Sequence, residues 1–426
     1  DEQTLSFIPT NDSTSRENYT EEVADGVRLL KIGCLYGSNA SGKTNILKAL
    51  DFFARFMVKD SLNKGDETYV VPFLLDDVSA KEKTEFEMTF YQNRERYKLN
   101  LVLNNKVIYS EVLQVYSSAQ PTMLYKRSYN AETDSTDIVF GGKIGLLKKS
   151  RETILGNTIN NRTVIAAFGL SNVEKSRLNL VYDFFLQGIA HLMYPQSDLM
   201  GFTKSRLKRD GDGRLKKFIL HFLKASDFNI SDISVHEEDM AITPTLEMMI
   251  KSTPGMSEVT KMEILKKGVI TSEEMFFMHH TEYGEKELDE SLESRGTKRY
   301  MGLATILYDL LAHGVILPID EIETSIHYEL LSYFIKVFLV NSKKGAQLII
   351  STHDINLLDE DYIRRDVIWF TDKNDCGETK LIRLSSLGLH KTLSVYNAYK
   401  QEKLVDLPFL DSIYMDMEEY YGNEEE

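Results

Sequence analysis

Residues 37–44 read Gly37-Ser38-Asn39-Ala40-Ser41-Gly42-Lys43-Thr44, which fits the pattern G-x-x-x-x-G-K-[ST]. The preceding residues, 29–35, are mostly apolar and predict a buried strand. The following residues, 45–58, carry apolar side chains at helical spacing and predict a helix. A strand, a glycine-rich loop and a helix in this order are the context in which the pattern binds phosphate. The alternative, a glycine-rich turn without a ligand, would need neither flanking element.

The individual positions of this loop have predicted roles. The glycines let successive backbone N–H groups converge on phosphate oxygens, at the end of the helix dipole that favours negative charge. Lys43 should reach the β- and γ-phosphates of a nucleotide, and the Thr44 hydroxyl should bind Mg²⁺. We therefore predict a nucleotide-binding segment made of Gly37, Ser38, Asn39, Ala40, Ser41, Gly42, Lys43, Thr44 and Asn45.

The composition is that of a globular protein. The 426 residues are 42% hydrophobic and 27% charged, which is enough for two or three packed subdomains. The sequence has no run of about eighteen apolar residues, as a membrane span needs, and nothing near Asp1 resembles a signal peptide. We expect a cytoplasmic protein without a membrane partner. Cys34 and Cys376 give neither a disulfide framework nor zinc-ligand spacing, and Cys34 should be a small buried residue.

The net charge of −15 disfavours an extensive nucleic-acid-binding surface but leaves room for a local one. The best candidate is the segment 204–217 (KSRLKRDGDGRLKK), with a solvated loop and helix start as its alternative. At the other end of the chain, residues 411–426 are acidic and rich in tyrosine. They predict a flexible tail, or alternatively a docking segment for a partner.

The periodicity of apolar residues divides the chain into segments. Alternation from Thr84 onward predicts an antiparallel meander that ends near Tyr125 or Phe140; strands of a parallel sheet would lack this alternation. We predict an N-terminal lobe at 1–62, an antiparallel β subdomain at 63–142, a helical subdomain at 143–273, a C-terminal lobe at 274–410 and an acidic tail at 411–426.

Within the helical subdomain, residues 172–193 and 215–225 have helical periodicity. Residues 227–233 suggest a turn that enters a short strand. The segment 241–274 is polar, contains two prolines and has the weakest structural signal. We expect a mobile insertion there.

In the C-terminal lobe, residues 314–321 and 347–353 predict two apolar strands that end in polar residues. Asp320 at such an end can bind Mg²⁺, and the adjacent Glu321 can polarise a water molecule for in-line attack on a γ-phosphate. His353 can hydrogen-bond the same phosphate. Each of these patterns is common by itself, and a single histidine is usually a structural residue. Their combination with the glycine-rich loop points to nucleotide chemistry.

The series GSNASGKT, ESRGTK, PIDEIETSIH and STHD, in that order, resembles the ABC-class ATPases of the RecF, SMC and OLD branch. It is most similar to the stand-alone ATP-binding proteins of RloA and OLD type found beside nucleases in phage-defence operons. The resemblance covers nearly the whole chain. It implies an α/β P-loop NTPase of ABC-ATPase head type, with an antiparallel β-meander and a helical subdomain inserted between Walker A and Walker B.

The resemblance also implies ATP and Mg²⁺ as ligands, and a homodimer or higher homo-oligomer. By this resemblance, Gly37 to Thr44 form Walker A, Asp320 is the Walker B carboxylate and Glu321 is the general base. Ser294, Gly296 and Thr297 form the signature segment, which caps the γ-phosphate held by the opposite subunit. Thr324 to His327 form the D-loop, and His353 is the switch histidine. Ser294 precedes a predicted helix, whose N-terminus could bind an anion; the alternative is an ordinary capping residue.

Two departures from the family pattern stand out. Pro318 lies two residues before Asp320, and because proline cannot donate to a sheet, we expect a bulge or an edge position there. The glutamine that usually senses Mg²⁺ has no clear counterpart. Gln92 lies in a hairpin turn, Asn160 and Asn161 are alternatives, and we leave the position unassigned.

Three functions follow from these observations. The first is an ATP-hydrolysing dimeric switch that controls a protein effector such as a nuclease, because the sequence has hydrolytic residues but no toprim-like Asp-x-Asp strand end and no His-Asn-His cluster. The second is a RecF-like DNA-repair clamp; long heptad repeats of SMC type are absent, and nucleic acid as a partner is not established. The third is a slow-turnover nucleotide-dependent scaffold or a transporter cassette. The absence of an LSGGQ-type signature argues against the transporter.

Overall fold

The computed structural model describes residues 2–253, 256–390, 393–401 and 404. The chain divides into two compact units. The first contains the described residues of Asp1–Arg16, Glu22–Leu186 and Ile349–Glu426, and the second contains Glu17–Glu21 and Gln187–Leu348. The predicted acidic tail, 411–426, lies outside the described residues, and the division into five segments stays a prediction.

The strands, in chain order, are β1 (Thr20–Ala24), β2 (Val27–Leu30), β3 (Ile32–Tyr36), β4 (Thr84–Gln92), β5 (Glu95–Leu103), β6 (Ile108–Tyr116), β7 (Thr122–Asn130), β8 (Ser135–Phe140), β9 (Ile230–Ala241), β10 (Val269–Thr281), β11 (Gly284–Asp289), β12 (Ile316–Ile319), β13 (Gln347–Ser351), β14 (Ile368–Lys373) and β15 (Thr379–Arg383).

The helices are α1 (Arg16–Tyr19), α2 (Lys43–Met57), α3 (Lys148–Asn157), α4 (Val164–Gly169), α5 (Arg177–Asp183), α6 (Leu199–Lys208), α7 (Arg214–Ala225), α8 (Pro244–Ser252), α9 (Glu258–Lys267), α10 (Arg295–His313), α11 (Tyr328–Asn341) and α12 (Val395–Lys400). In the part of the chain that the structure describes, none of these helices has the length and apolar character that crossing a bilayer requires.

The first unit is built on a sheet around β3. All five residues of β3 are buried, as expected for a strand covered on both faces. β14 pairs with β3 in parallel, and β15 pairs with β14 in antiparallel orientation. On the other side of β3 lies the end of β13, where the Thr352 N–H donates to the Leu35 carbonyl oxygen at 3.1 Å. Cys34 is buried here as expected, and burial raises the pKa of its thiol to about 12.

The strand predicted at residues 29–35 is two strands. β2 ends at Leu30 and pairs with β1 in a separate two-stranded sheet, and β3 begins at Ile32. Lys31 bends the chain between them. The last residue of β2 and all residues of β3 are buried, so the apolar run continues across the bend and did not reveal it.

The predicted meander is confirmed, and it extends to the later of the two predicted ends. β4 to β8 form a five-stranded antiparallel sheet in sequential order, and the last pair places Tyr125 opposite Phe140. The alternation reflects one buried face, which is clearest in β5, where Tyr97, Leu99 and Leu101 are fully buried. This face packs on α2, where Phe53 stacks on Phe86.

A buried polar network fastens the meander to α4. The Tyr125 hydroxyl donates to Glu111 Oε1 at 2.6 Å, and Glu111 Oε2 accepts the Val164 N–H at the start of α4 at 2.9 Å. Arg127 donates to the carbonyl oxygens of Ile108 and Asn160. Burial raises the pKa of Glu111, and burial lowers the pKa of Arg127 to about 10. Each buried charge therefore has hydrogen-bond partners, as its burial requires.

The helix predicted at residues 172–193 is confirmed only in its middle part and is wrong at both ends. Only α5 is α-helical, and a single π-helical turn, Phe184–Gly188, follows it. This turn directs two successive aromatic rings into the core, with Phe184 stacked on Phe90 at 4.2 Å and Phe185 edge-on to Phe53 at 5.7 Å. An α-helix separates successive side chains by about 100°, so burial of both rings favours the wider turn.

The second unit is built on α10, which packs against α6, α7 and α11. Eleven of its nineteen residues are buried. A Cβ atom on Gly302 would lie 2.4 Å from the Leu199 Cβ, so α6 and α10 approach closely at this glycine. β9, β10 and β11 form a separate antiparallel sheet in the order β11-β10-β9.

The segment 241–274, expected to be a mobile insertion, has regular structure. It contains α8 and α9 between two long strands that pair from Ala241 and Val269 onward. The N-terminus of α8 is capped by Thr243 with a proline at its first position, and Ser257 caps α9. These capping residues are a local helix signal that the overall polarity of the segment obscured.

Candidate nucleotide-binding site

The loop between β3 and α2 has two glycines at which neighbouring strands leave no room for a side chain. A Cβ atom on Gly37 would lie 2.4 Å from Thr371 Oγ1, and one on Gly42 would lie 2.1 Å from Thr379 Oγ1. Gly42 also has a φ angle of +108°, which residues with side chains rarely adopt. The loop backbone therefore lies directly on β14 and β15, and a larger residue at either position would displace it.

Two threonines outside the sequence motif hold this loop. Thr371 Oγ1 hydrogen-bonds Ser41 Oγ at 2.6 Å and the Tyr36 carbonyl oxygen at 3.2 Å, and Thr379 Oγ1 donates to the Ser41 carbonyl oxygen at 3.0 Å. Sequence reasoning missed both. Thr371 follows a buried apolar run in β14, which is the same pattern that singled out Asp320, so a signal for it was present.

The N-terminus of α2 is open to an anion. Its N-cap is Gly42, none of the described residues supplies a side-chain cap, and the first turn contains no acidic residue. The first N–H groups of a helix lack intrahelical acceptors and carry partial positive charge. Lys43 adds a buried ammonium group, which donates to the carbonyl oxygens of Gly37 at 2.9 Å and Ser38 at 3.0 Å. The first N–H groups of α2 and the Lys43 ammonium group therefore lie around one loop.

Asp320 and Glu321 follow β12 at once, as predicted. Asp320 is only 4% exposed, and its N–H donates to the Met193 carbonyl oxygen at 2.8 Å. Glu321 is half-buried and has a φ angle of +46°, a left-handed conformation that is uncommon for residues other than glycine. Its carbonyl oxygen accepts the Thr324 N–H at 3.0 Å. Strained backbone of this kind occurs often at functional sites.

Pro318 takes one of its two predicted positions, since β12 is an edge strand of its sheet. Its carbonyl oxygen accepts the Met193 N–H at 3.0 Å, and the Ile316 carbonyl oxygen accepts the Ala190 N–H at 2.8 Å. Because successive residues of a strand point their polar groups to opposite sides, the position without an N–H faces the segment 189–193 and not β13. Proline therefore removes no bond between β12 and β13.

The predicted signature segment forms the N-terminus of α10. Ser294 is the exposed N-cap, and its Oγ accepts the Thr297 N–H at 3.0 Å and lies 2.9 Å from Thr297 Oγ1. The capping role, which the sequence left as an alternative, is thus present. Gly296 lies against the predicted D-loop, because a Cβ atom there would be 2.9 Å from the Ser325 carbonyl oxygen. Within the second unit, the structure brings these two predicted segments together.

His353 is exposed and lies just after the end of β13. The residues beside it fix the turn: the Asp354 N–H donates to Thr352 Oγ1 at 3.0 Å, and Asp354 Oδ1 accepts the Asn356 N–H at 3.0 Å. The side chain is therefore presented from a short, hydrogen-bonded turn and not from the strand itself.

Each of the three candidates for the magnesium-sensing position has a strand partner or hydrogen bonds in the structure. Gln92 pairs with Glu95 across the β4–β5 hairpin. Asn160 Nδ2 donates to Asp134 Oδ1 at 2.8 Å, and Asn161 Nδ2 donates to the carbonyl oxygens of residues 63 and 66. These bonds hold loops in place, and the position stays unassigned.

The predicted site residues divide between the two units. The first unit contains Gly37, Ser38, Asn39, Ala40, Ser41, Gly42, Lys43, Thr44, Asn45 and His353. The second contains Ser294, Gly296, Thr297, Asp320 and Glu321. The uncapped helix and glycine loop fit a nucleotide phosphate. The Thr44 hydroxyl and the Asp320 carboxylate are the hard oxygen ligands that Mg²⁺ prefers.

The basic segment 204–217 is largely neutralised within the second unit. Lys204 pairs with Glu290, Arg206 with Asp309, Lys208 with Glu237 and Glu273, and Lys216 with Asp232. The segment forms the end of α6, a loop and the start of α7. This arrangement matches the alternative of a solvated loop and helix start.

This combination of fold and loop defines an α/β P-loop NTPase of ABC-ATPase head type, with a meander and a helical subdomain between its Walker A and Walker B segments. The chain belongs to the family described as "AAA domain, putative AbiEii toxin, Type IV TA system", which it matches over residues 32–359. It is therefore a P-loop ATPase, and the family implies a nucleotide and Mg²⁺ as ligands.

Several solved structures are similar to the chain. The SMC head domain from Thermotoga maritima is 12% identical, with 86% of this chain and 97% of that chain covered and a TM-score of 0.37. An SmcHead bound to the C-winged helix domain of ScpA is 14% identical, with coverages of 88% and 94% and a TM-score of 0.32. An Smc head with an extended coiled coil, bound to the C-terminal domain of ScpA derived from Pyrococcus furiosus, is 11% identical, with coverages of 88% and 94% and a TM-score of 0.34. A comparison with curated proteins gives no match.

Proposed function

We propose that this protein is an ATP-hydrolysing switch of the RloA and OLD type, which dimerises around Mg-ATP in the cytoplasm and regulates a nuclease effector in anti-phage defence. The observation that carries the proposal is the N-terminus of α2. Its N-cap is a glycine pressed against β15, none of the described residues supplies a side-chain cap, and Lys43 donates into the loop. An anion is the natural partner of these donors.

The chain's own residues supply the steps of hydrolysis. Lys43 and the loop N–H groups would hold the β- and γ-phosphates, and Thr44 and Asp320 would hold Mg²⁺, which neutralises phosphate charge when bound. Glu321 would accept a proton from the attacking water as general base. His353 would hydrogen-bond the γ-phosphate, with Gly37 to Asn45 around the nucleotide.

The dimer is proposed because the signature segment faces solvent. Ser294 and its neighbour Arg295 are exposed at the start of a nineteen-residue helix. The N-terminal donors of that helix, with Gly296 and Thr297, would reach a γ-phosphate held by a second copy. A complete site would then require two chains, and ATP binding would bring them together.

An effector is proposed because the chain has the residues for ATP hydrolysis but its sequence shows no nuclease motif. The family description, which names a toxin of a Type IV TA system, is compatible with such a role. A RecF-like DNA-repair clamp was the main alternative. We do not favour it, because the basic segment that would bind DNA is occupied by ion pairs. A slow-turnover scaffold would be revealed by the measurements below.

Removal of the Lys43 ammonium group tests the binding site. We expect Lys43→Ala to weaken binding of a fluorescent ATP analogue by about ten- to a hundredfold, since a charged hydrogen bond contributes about 1.5–3 kcal/mol. Lys48→Ala, an exposed change on the same helix, should bind normally. Unchanged affinity in a folded Lys43→Ala protein would contradict the proposal.

Substitution of the general base tests the switch. Glu321→Gln should retain ATP binding but lose hydrolysis, because an amide cannot accept the proton. Light scattering with and without Mg-ATP should then show a shift from monomer to dimer. A mass that is already dimeric without ATP would indicate the scaffold alternative, and undiminished hydrolysis would remove Glu321 from its assigned role.

A further inference from the structure

One end of the β9–β10–β11 sheet has a set of exposed apolar side chains that the proposed ATPase reaction does not use. It consists of side chains of β9, α8 and α9, each between 46% and 72% exposed, and we call it the methionine face: Met240, Met248, Met249, Val259 and Met262. We propose that the methionine face docks an amphipathic helix of a partner protein, with lysine or arginine side chains flanking its apolar stripe.

The residue type supports a docking role. Five of the fifteen methionines of the chain lie in residues 236–274, and four of these five belong to the methionine face. Methionine is flexible and polarisable, so it adapts to a partner's shape and is frequent on surfaces that bind helices. Val259 and Met262 are three residues apart in α9 and therefore share one side of that helix.

The helices α8 and α9 bury few side chains against the rest of the chain. All residues of α9 are described and none is buried, and Ile250 is the single buried residue of α8. The helices contact each other, and Lys261 Nζ of α9 donates to the Lys251 carbonyl oxygen at 2.9 Å. Helices of nine or ten residues are marginal in water without a packed apolar face. A partner helix would supply the missing packing.

The charge around the methionine face selects the partner. Residues 236–274 contain eight acidic and four basic side chains. Glu238 and Asp239 are exposed on β9 directly before Met240. Glu237 and Glu273 both form ion pairs with the same residue, Lys208. A basic helix would complement this surplus. A second copy of the chain would bring the same acidic surface to a two-fold interface, so self-association is disfavoured there.

The methionine face is also connected to the proposed signature segment. β10 begins beside the face at Val269 and runs to His279, whose Nε2 contacts the Glu293 carboxylate. Glu293 immediately precedes Ser294. A docked partner would therefore act on β10, the strand that contacts the start of α10. This connection rests on the proposed function, whereas the docking surface itself does not.

The test uses a fluorescein-labelled helical peptide with leucines at positions i, i+3, i+4 and i+7 and lysines on both sides of this stripe. Binding to the full chain is measured by fluorescence anisotropy. We expect the triple variant Met248→Gln, Met249→Gln and Met262→Gln to raise the Kd by about tenfold or more, because apolar burial is lost. The triple variant Val71→Gln, Leu74→Gln and Leu75→Gln changes equally exposed apolar residues elsewhere and should leave the Kd unchanged.

Charge gives a second arm to the experiment. A peptide with glutamates in place of the lysines should bind about tenfold more weakly or worse. Equal binding of both peptides, equal loss in both triple variants, or no binding by the unaltered chain would overturn the proposal. So would a methionine variant whose mass in light scattering halves relative to the unaltered chain, since a second copy would then occupy the face.

ATP hydrolysis of the same proteins separates this proposal from the proposed function. The methionine variant should hydrolyse ATP like the unaltered chain in the absence of peptide and keep its circular dichroism spectrum. Lost peptide binding with unchanged hydrolysis would support the docking surface. Peptide binding by a chain that shows no hydrolysis would support the docking surface and contradict the ATPase proposal alone.

Discussion

At the scale of single residues, Gly42 shows why the loop needs its exact composition. Its Cβ position is 2.1 Å from Thr379 Oγ1, and its φ angle is +108°. Two separate constraints, backbone conformation and contact with β15, therefore exclude a side chain. Thr379 in turn donates to the Ser41 carbonyl oxygen, so displacement of the strand would also release the loop.

We expect Gly42→Ala to reduce affinity for an ATP analogue at least about tenfold and to destabilise the fold by about 1–3 kcal/mol, as overpacking does. Gly65→Ala is a matched control, because Gly65 also has a positive φ of +97° but nothing within 4 Å of its Cβ position. Isothermal titration and urea unfolding of both variants measure the two effects. If the two substitutions behave alike, backbone conformation alone explains the glycine.

The residues of the glycine loop were predictable because the motif is local in sequence. Asp320, Glu321 and His353 were proposed because polar residues end apolar strands. Thr371 and Thr379 were not predicted, since their role depends on a contact across more than three hundred residues. Thr371 at least follows a buried apolar run, but Thr379 has no local feature that distinguishes such a contact from ordinary strand preference.

At the scale of elements, a buried ion pair joins the start of the chain to the segment that precedes β14. Arg364 and Asp366 are each about 1% exposed in their side chains, and Asp366 Oδ2 accepts the N–H of Thr10 at 2.9 Å. Arg364 also donates to the Thr14 carbonyl oxygen at 3.0 Å. Burial would raise the pKa of Asp366, but hydrogen bonds from Arg364 and Thr10 outweigh it and hold the pKa below 3.8.

We expect Asp366→Asn to lower the free energy of unfolding by about 3 kcal/mol near neutral pH, because Arg364 is left buried without its counter-charge. A carboxyl with a lowered pKa stabilises the fold above its unfolded pKa and loses this contribution as pH falls through the folded pKa. The difference between the two proteins should therefore shrink below about pH 3.8.

Urea unfolding over a pH series measures this difference. Asp375→Asn, at an exposed position, should stay within about 0.5 kcal/mol of the unaltered chain. A difference between Asp366→Asn and the unaltered chain that does not change with pH would show that the hydrogen bonds, and not the charge, carry the stability.

The elements themselves were predictable to different degrees. The meander followed from alternation, and α2 and α7 followed from helical periodicity. The π-helical turn at Phe184 was not predicted, because it depends on rings that arrive from β4 and α2. The helices α8 and α9 were missed because the overall polarity of the segment obscured their capping residues.

At the scale of the whole molecule, the proposed switch places each complete site between two chains. Glu321 and Ser294 of one chain would then serve different sites. Glu321→Gln and Ser294→Arg should each abolish hydrolysis alone. Mixed together, they should restore up to about a quarter of the activity, because half of random dimers would contain one intact site of two.

A mixture of Lys43→Ala and Glu321→Gln is the control, since both residues belong to the same half of a site and no pairing restores one. Steady-state phosphate release from the separate and mixed proteins gives the answer. Restoration in neither mixture, with both chains shown to exchange, would mean that Ser294 acts within its own chain or outside the reaction.

The segment 189–193 has a consequence for how such chains can assemble. It occupies the outer side of β12 with three backbone hydrogen bonds, and Pro318 has no N–H to offer on that side. An open strand edge invites a strand from another molecule and is a common start of fibrous aggregation. This edge of β12 is already paired with the irregular segment 189–193. The Walker B strand is thus shielded from sheet extension on this side, and a second copy of the chain would have to join elsewhere.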